Sequence, residues 1–170
     1  MRIFTLLCML SIFYFISSSF AMDLSGSTYT ITSKSLTYVP EKARIFLKEN
    51  VRIVNEAFTV TAQEVDIVLE EQKESLSFSS ESVNELLFRQ NVTFLYKKEN
   101  QKGPISGKGN SARYDVKKEM LYMYGNVTVE SDGNVIEGEE IAINLVTNTI
   151  QVQGNNKKPV EVLLRPRKEG

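Results

Sequence analysis

Histidine and tryptophan are absent from this chain, and cysteine occurs once, as Cys8. Without histidine there is no Ser/His or Cys/His pair, and the commonest general base and metal ligand are both missing. A lone cysteine closes no disulfide within the chain, so stability must come from burial and sheet pairing. Neither sign of charge dominates. With 20 basic and 21 acidic side chains, no global field points to nucleic acid. Helix-period patterning is scarce too. What remains is 170 residues, enough for one domain with a real core.

The start has the layout of a secretory leader. Arg2 supplies the positive end, Ile3 to Ile16 is almost continuously apolar, and Ser19 and Ala21 occupy the small–x–small positions. Cleavage is expected after Ala21, leaving a mature chain from Met22. Residues 1–21 are thus a signal peptide and 22–170 a single domain. The competing reading is an uncleaved membrane anchor, for which the apolar stretch is borderline in length. Cys8 leaves with the leader, and no lipobox surrounds it.

Beyond the leader, apolar and polar residues alternate with period two, the pattern of strands with one buried face. Ile45 and Leu47 share a face, as do Val51 and Ile53, Val60 and Ala62, and Val65 and Ile67. Pro40-Glu41-Lys42 and Asp132-Gly133 read as turns, and Asn50, Asn91 and Asn126 as corners where Asn tolerates left-handed backbone. A longer period is also present. Tyr38, Asn50 and Ala62 step by twelve, and Tyr114, Asn126 and Gly138 repeat the pattern about 76 positions later. A fixed internal spacing of this kind marks a duplicated unit. Leu76 and Phe78 are expected in a further strand, and Gly154 turns the chain into a last one, Val160 to Leu164. The reading is all-β, with about a dozen or more short strands forming two sheets face to face or one sheet that wraps round.

No catalytic or metal-binding constellation stands out. Glu70-Glu71 and Glu139-Glu140 could be paired carboxylates for glycoside chemistry. Adjacent strand residues point to opposite faces, so solvated turn charges fit better. Gly107-Lys108-Gly109 resembles a fragment of a phosphate loop, but no helix pattern follows. Asn91-Val92-Thr93 and Asn126-Val127-Thr128 match a glycosylation acceptor, yet both fall on the repeated corner. Lys157, Lys158, Arg165, Arg167 and Lys168 could meet phosphates, or simply solubilise a terminus. The inward apolar set remains, and periodicity alone reads it as a plain core.

The stretch Ser33 to Val51 with Ala62-Gln63-Glu64 resembles the OstA-like repeat of the lipopolysaccharide-transport proteins. The second half is closer to the LptA family: Ile105-Ser106-Gly107, Tyr114-Asp115-Val116, Met120 to Val127, Ile136 to Ile141 and Val160 to Pro166 stand in the family's order. One departure is Glu49, where the family usually has Gly before Asn-Val. The resemblance implies an antiparallel β-jellyroll of about sixteen short strands, open along one side, whose apolar interior holds lipid acyl chains. It implies a periplasmic, non-enzymatic carrier with no cofactor. The implied partners are lipopolysaccharide through its lipid A moiety, an inner-membrane LptC-type jellyroll and an outer-membrane LptD-type jellyroll. It also implies head-to-tail self-association and no nucleic acid. Shielding suits the chemistry. An acyl chain of about a dozen methylenes costs roughly 10 kcal/mol to expose to water, at about 0.8 per methylene. The residues expected to line the groove are Tyr29, Ile31, Tyr38, Ile45, Leu47, Val51, Ile53, Val60, Val65, Ile67, Phe94, Tyr114, Val116, Leu121, Met123, Val127, Val129, Ile136, Ile141 and Ile143. The alternatives are an anchored LptC-type component, a β-fold enzyme acting on polysaccharide, and a structural envelope protein with a filled core.

Overall fold

A computed structural model of the protein describes residues 18–24, 27–54, 58–70, 82–97, 103–147, 149–156 and 159–164. The strand expected at Leu76 and Phe78, the leader through residue 17, and Lys157, Lys158, Arg165, Arg167 and Lys168 lie outside them. The described strands are β1 (Ser18–Leu24), β2 (Ser27–Ser33), β3 (Ser35–Val39), β4 (Arg44–Val54), β5 (Phe58–Leu69), β6 (Val83–Tyr96), β7 (Ile105–Asp115), β8 (Met120–Ser131), β9 (Asn134–Asn144), β10 (Thr149–Gln153) and β11 (Glu161–Leu163). They form one 11-stranded sheet in which each of β4 to β9 pairs antiparallel with its neighbours in sequence. At one end β2 and β3 share the edge of β4, and at the other β10 and β11 share the edge of β9. β1 pairs with β2 and includes Ser18–Ala21, the last residues of the expected leader.

Among the described residues eleven strands stand where the resemblance implies about sixteen. The reason is that what reads as two short strands is one long strand with a bend. Ile45-Leu47 and Val51-Ile53 both belong to β4, and Leu86-Phe88 and Val92-Tyr96 both belong to β6. The bend is made by paired left-handed residues: Glu49 and Asn50 (φ 61° and 54°), Gln90 and Asn91 (63° and 55°), Gly125 and Asn126 (75° and 51°). At each corner the register shifts: Lys48 faces Glu64 but Val51 faces Ala62, so two residues stand opposite one. The same shift occurs between Arg89 and Val92 against β7, and between Tyr124 and Val127 against β9. This is a β-bulge, which bends a strand without ending its pairing. The duplication therefore has a third member, the Gln90-Asn91 corner, lying between the two copies.

Glu49 takes up the left-handed conformation although glycine would do so at less cost. Its carboxylate is 2.9 Å from the Lys34 ammonium, whose hydrogen bond and charge hold it below the ordinary carboxylate range. Gln90 occupies the matching position in β6 with an exposed side chain. A left-handed L-residue costs about 1–2 kcal/mol, and glycine returns part of that gain through its greater backbone freedom in the unfolded chain. Gln90→Gly is therefore expected to stabilise the protein by about 0.5–1 kcal/mol, seen as a higher urea midpoint at unchanged slope. A lower midpoint would mean that the Gln90 side chain contributes more than its backbone costs.

The remaining connections follow local chemistry. Asp132-Gly133, with φ of 50° and 79°, closes the β8–β9 hairpin as a two-residue turn of the primed type. Pro40–Lys42 forms a single 3-10 turn that ends at left-handed Ala43. Asp115 accepts the backbone N–H of Lys118 at 3.1 Å and tightens the β7–β8 turn.

Candidate functional site

Bending every long strand in the middle gives the sheet two halves that face each other across an apolar interior. Side chains reach that interior in continuous cross-strand rows. At the crease, Val51 faces Ala62, Val92 faces Gly109 and Val127 faces Gly138. Each corner thus sets a valine beside a small residue, which lets the halves approach. One half carries the row Leu47, Val65, Phe88, Ala112, Met123 and Ile141. Farther from the crease it carries Ile45, Ile67, Leu86, Tyr114, Leu121 and Ile143. The other half carries Ile31, Ile53, Val60, Phe94, Gly107, Val129 and Ile136.

Of the residues expected to line the interior, all but Tyr38 and Ile136 are buried. Tyr38 lies on edge strand β3 and packs against the core half-buried. Ile136 is half-buried because its outer neighbour is Val162 of the short strand β11, itself exposed. Leu86, Phe88, Val92, Tyr96 and Ile105 belong to the interior as well, though alternation did not single them out, and so does Phe58, which alternates in phase with Val60 and Ala62. For Val92 a signal exists in the sequence, since it follows Asn91 as Val51 follows Asn50. Leu86-Leu87-Phe88 carries none, because three consecutive apolar residues have no phase. At Met120 to Tyr124, where both faces read as apolar, Leu121 and Met123 turn inward. Tyr122 turns outward beneath the Arg113 guanidinium, 4.5 Å from its ring centroid.

Charge stays outside. The one buried carboxylate among the described residues is Asp66, between inward Val65 and Ile67 and so directed to the outer face. There it accepts a hydrogen bond from Arg89 at 2.8 Å and lies 3.7 Å from Arg44. Glu70-Glu71 and Glu139-Glu140 do not converge on the interior: Glu70 pairs with Lys117, and residue 71 is outside the described set. Gly107 and Gly109 are strand residues of β7 rather than a loop. Phenols are among the polar groups buried with the apolar core. Tyr96 donates to the Leu145 carbonyl at 3.3 Å. Burial pushes the Tyr96 and Tyr114 phenols up, which keeps both neutral at any physiological pH. Such an interior has little to offer a charged or strongly polar group.

A family model described as LptA/(LptD N-terminal domain) LPS transport protein matches residues 30–149. Over 151 residues the chain is 27% identical to the lipopolysaccharide export system protein LptA of Haemophilus influenzae, covering 88% of this chain and 84% of that protein. It also superposes on the crystal structure of LptH, the LptA homologous periplasmic component of the conserved lipopolysaccharide transport device from Pseudomonas aeruginosa. That match has a TM-score of 0.67 and 14% identity, with 81% of this chain and 95% of the other covered. At that identity the likeness is one of fold, and it matches the antiparallel jellyroll described above.

Proposed function

The chain belongs to the family of LptA and LptD N-terminal-domain lipopolysaccharide-transport proteins, and we propose that it is a periplasmic carrier that shields lipid A acyl chains inside the folded sheet. The observation that carries this reading is the set of uninterrupted apolar rows, which run across six bent strands with no charged side chain turned inward among the described residues. Covalent chemistry is not needed for that task, since removing the exposure cost of the acyl chains is itself the function. The carrier is exported by its leader and acts as a non-enzymatic link between an LptC-type partner at the inner membrane and an LptD-type partner at the outer.

Both ends of the sheet suit docking by strand addition. Cleavage after Ala21 would leave only Met22–Leu24 on β2 and free its edge opposite Thr30–Ser33. At the far end Val160, Val162, Leu163 and Leu164 are all exposed, an apolar run beside a three-residue strand. An edge of this kind is an aggregation hazard unless it has a partner. Joining one chain's end to the next chain's start is a head-to-tail contact that does not close on itself.

A photo-crosslinking amino acid tests both parts. Placed at Ile31 or Tyr114 it is expected to capture lipopolysaccharide in cells, and at Val162 a second jellyroll chain. No lipid adduct at any inward position would sink the carrier reading.

A further inference from the structure

The outer side of the crease carries a line of amides. Where β4 to β8 bend, Asn50, Gln63, Gln90 with Asn91, Asn110 and Asn126 follow one another from strand to strand. Gln63 falls in the register gap opposite Asn50, and Asn110 in the gap opposite Asn91. Backbone geometry accounts for only part of this. Asn50, Asn91 and Asn126 are left-handed, a conformation Asn tolerates. Gln63 and Asn110 are not left-handed, so the fold does not ask for an amide there. Gln90 holds a left-handed position that Gly125 fills at less cost on β8. Gly125 in turn leaves room for the Asn110 side chain, whose Nδ2 would lie 2.7 Å from a Cβ at residue 125.

The line is open to a ligand. Asn50, Gln90, Asn91, Asn110 and Asn126 are exposed, and Gln63 is half-buried. Among the described residues the amides of Asn50, Gln63 and Asn91 hydrogen-bond to nothing within the chain. With Arg52 and Thr61 these three rim a cleft of about 270 Å³ that reaches down to the buried pair Val51 and Ala62. No large apolar side chain is exposed along the line, which does not suit a membrane. Nor is it a sheet edge to which a peptide strand could add. An amide both donates and accepts, which matches hydroxyl and acetamido groups. Neighbouring strands are about 4.8 Å apart, close to the advance per ring of an extended β-1,4-linked glycan. The left-handed Asn recurs on every second strand, as a substituent recurs on every second ring of such a chain.

We propose that this ridge binds a linear polysaccharide with an uncharged, acetamido-bearing β-1,4-linked backbone, laid along the crease with one ring per strand. The proposal goes beyond the carrier reading, since it uses the outside of the sheet and not its interior. Sugar rings have two sources in an envelope, the wall polymer and the saccharide of a carried lipid. The linear fit assigns the ridge to the first.

Isothermal titration of the exported chain tests this. The probe for the wall source is the hexamer of β-1,4-linked N-acetylglucosamine, and for the lipid source a lipid-free core oligosaccharide. The hexamer is expected to bind, and the dimer about tenfold more weakly, because two rings span only two strands. Gln63→Ala and Asn110→Ala should each weaken hexamer binding about three- to tenfold at an unchanged urea midpoint. Gln151→Ala, which removes an exposed amide of β10 away from the ridge, should leave it unchanged. Equal or tighter binding of the core oligosaccharide would overturn the wall source. No binding of the hexamer, or the same loss in Gln151→Ala as in the ridge variants, would overturn the site and leave the carrier reading standing.

Discussion

Phe88→Ala is expected to lower the unfolding free energy by about 3–5 kcal/mol, read from the urea midpoint. The ring is fully buried between Val65 and Ala112 in the row beside the crease. Ala112 is too small to close over the space the ring leaves. Deletion then forfeits both the transfer of the ring from water and the packing of its neighbours. The same experiment separates a filled core from a lipid chamber. In an interior built to receive acyl chains, a dodecanoyl ligand should occupy the vacated volume and restore part of the loss. At a free concentration one hundred times its dissociation constant, the recovery would be about 2.7 kcal/mol. A loss below about 1 kcal/mol would show that this row is not the packed centre described above. A full loss with no ligand recovery would favour a structural protein with a plain core.

The second large effect concerns Gly107, and here two physical terms have opposite signs. Valine is a good strand residue and glycine a poor one, which on propensity alone makes Gly107→Val stabilising by up to about 1 kcal/mol. A Cβ at residue 107, however, would lie 2.2 Å from Cε1 of Phe94 and 3.0 Å from its Cδ1 and Cζ. The ring lies flat over the glycine it faces across the β6–β7 ladder. Valine must expel it, at about 1–3 kcal/mol for overpacking and a similar amount for the lost phenyl burial. Sterics win, and Gly107→Val is expected to destabilise by about 2–5 kcal/mol. Combining it with Phe94→Ala should cost clearly less than the sum of the two single changes, because the smaller side chain removes the clash. Additive losses would mean that the ring and the glycine do not share one space.

Those two positions show what the sequence could and could not reveal. Alternation in β4 and β5 gave the facing of Ile45, Leu47, Val60 and Val65 correctly, because each polar neighbour marks the phase. The family resemblance and the Tyr–Asn–small spacing gave the jellyroll and most of the interior. Strand continuity was not visible, since an Asn corner reads as the end of one strand as easily as the middle of another. Nor was the value of Gly107, which depends on a ring thirteen positions earlier that only pairing brings near. The contact between Tyr96 and Leu145 was hidden for the same reason: it spans 49 residues, with no local pattern to announce it.

The corners have one further consequence. At each of them an even-numbered strand devotes two residues to a bend that its later neighbour makes with one, as a road takes a longer line on the outside of a curve. The surplus recurs at every second strand, on β4, β6 and β8. Hairpins added in sequence therefore extend the molecule along its length and leave its profile unchanged, as in an extruded gutter. Within such a gutter the cross-section is set by the corner chemistry of Asn50, Asn91 and Asn126, and the length by how many times that chemistry is written.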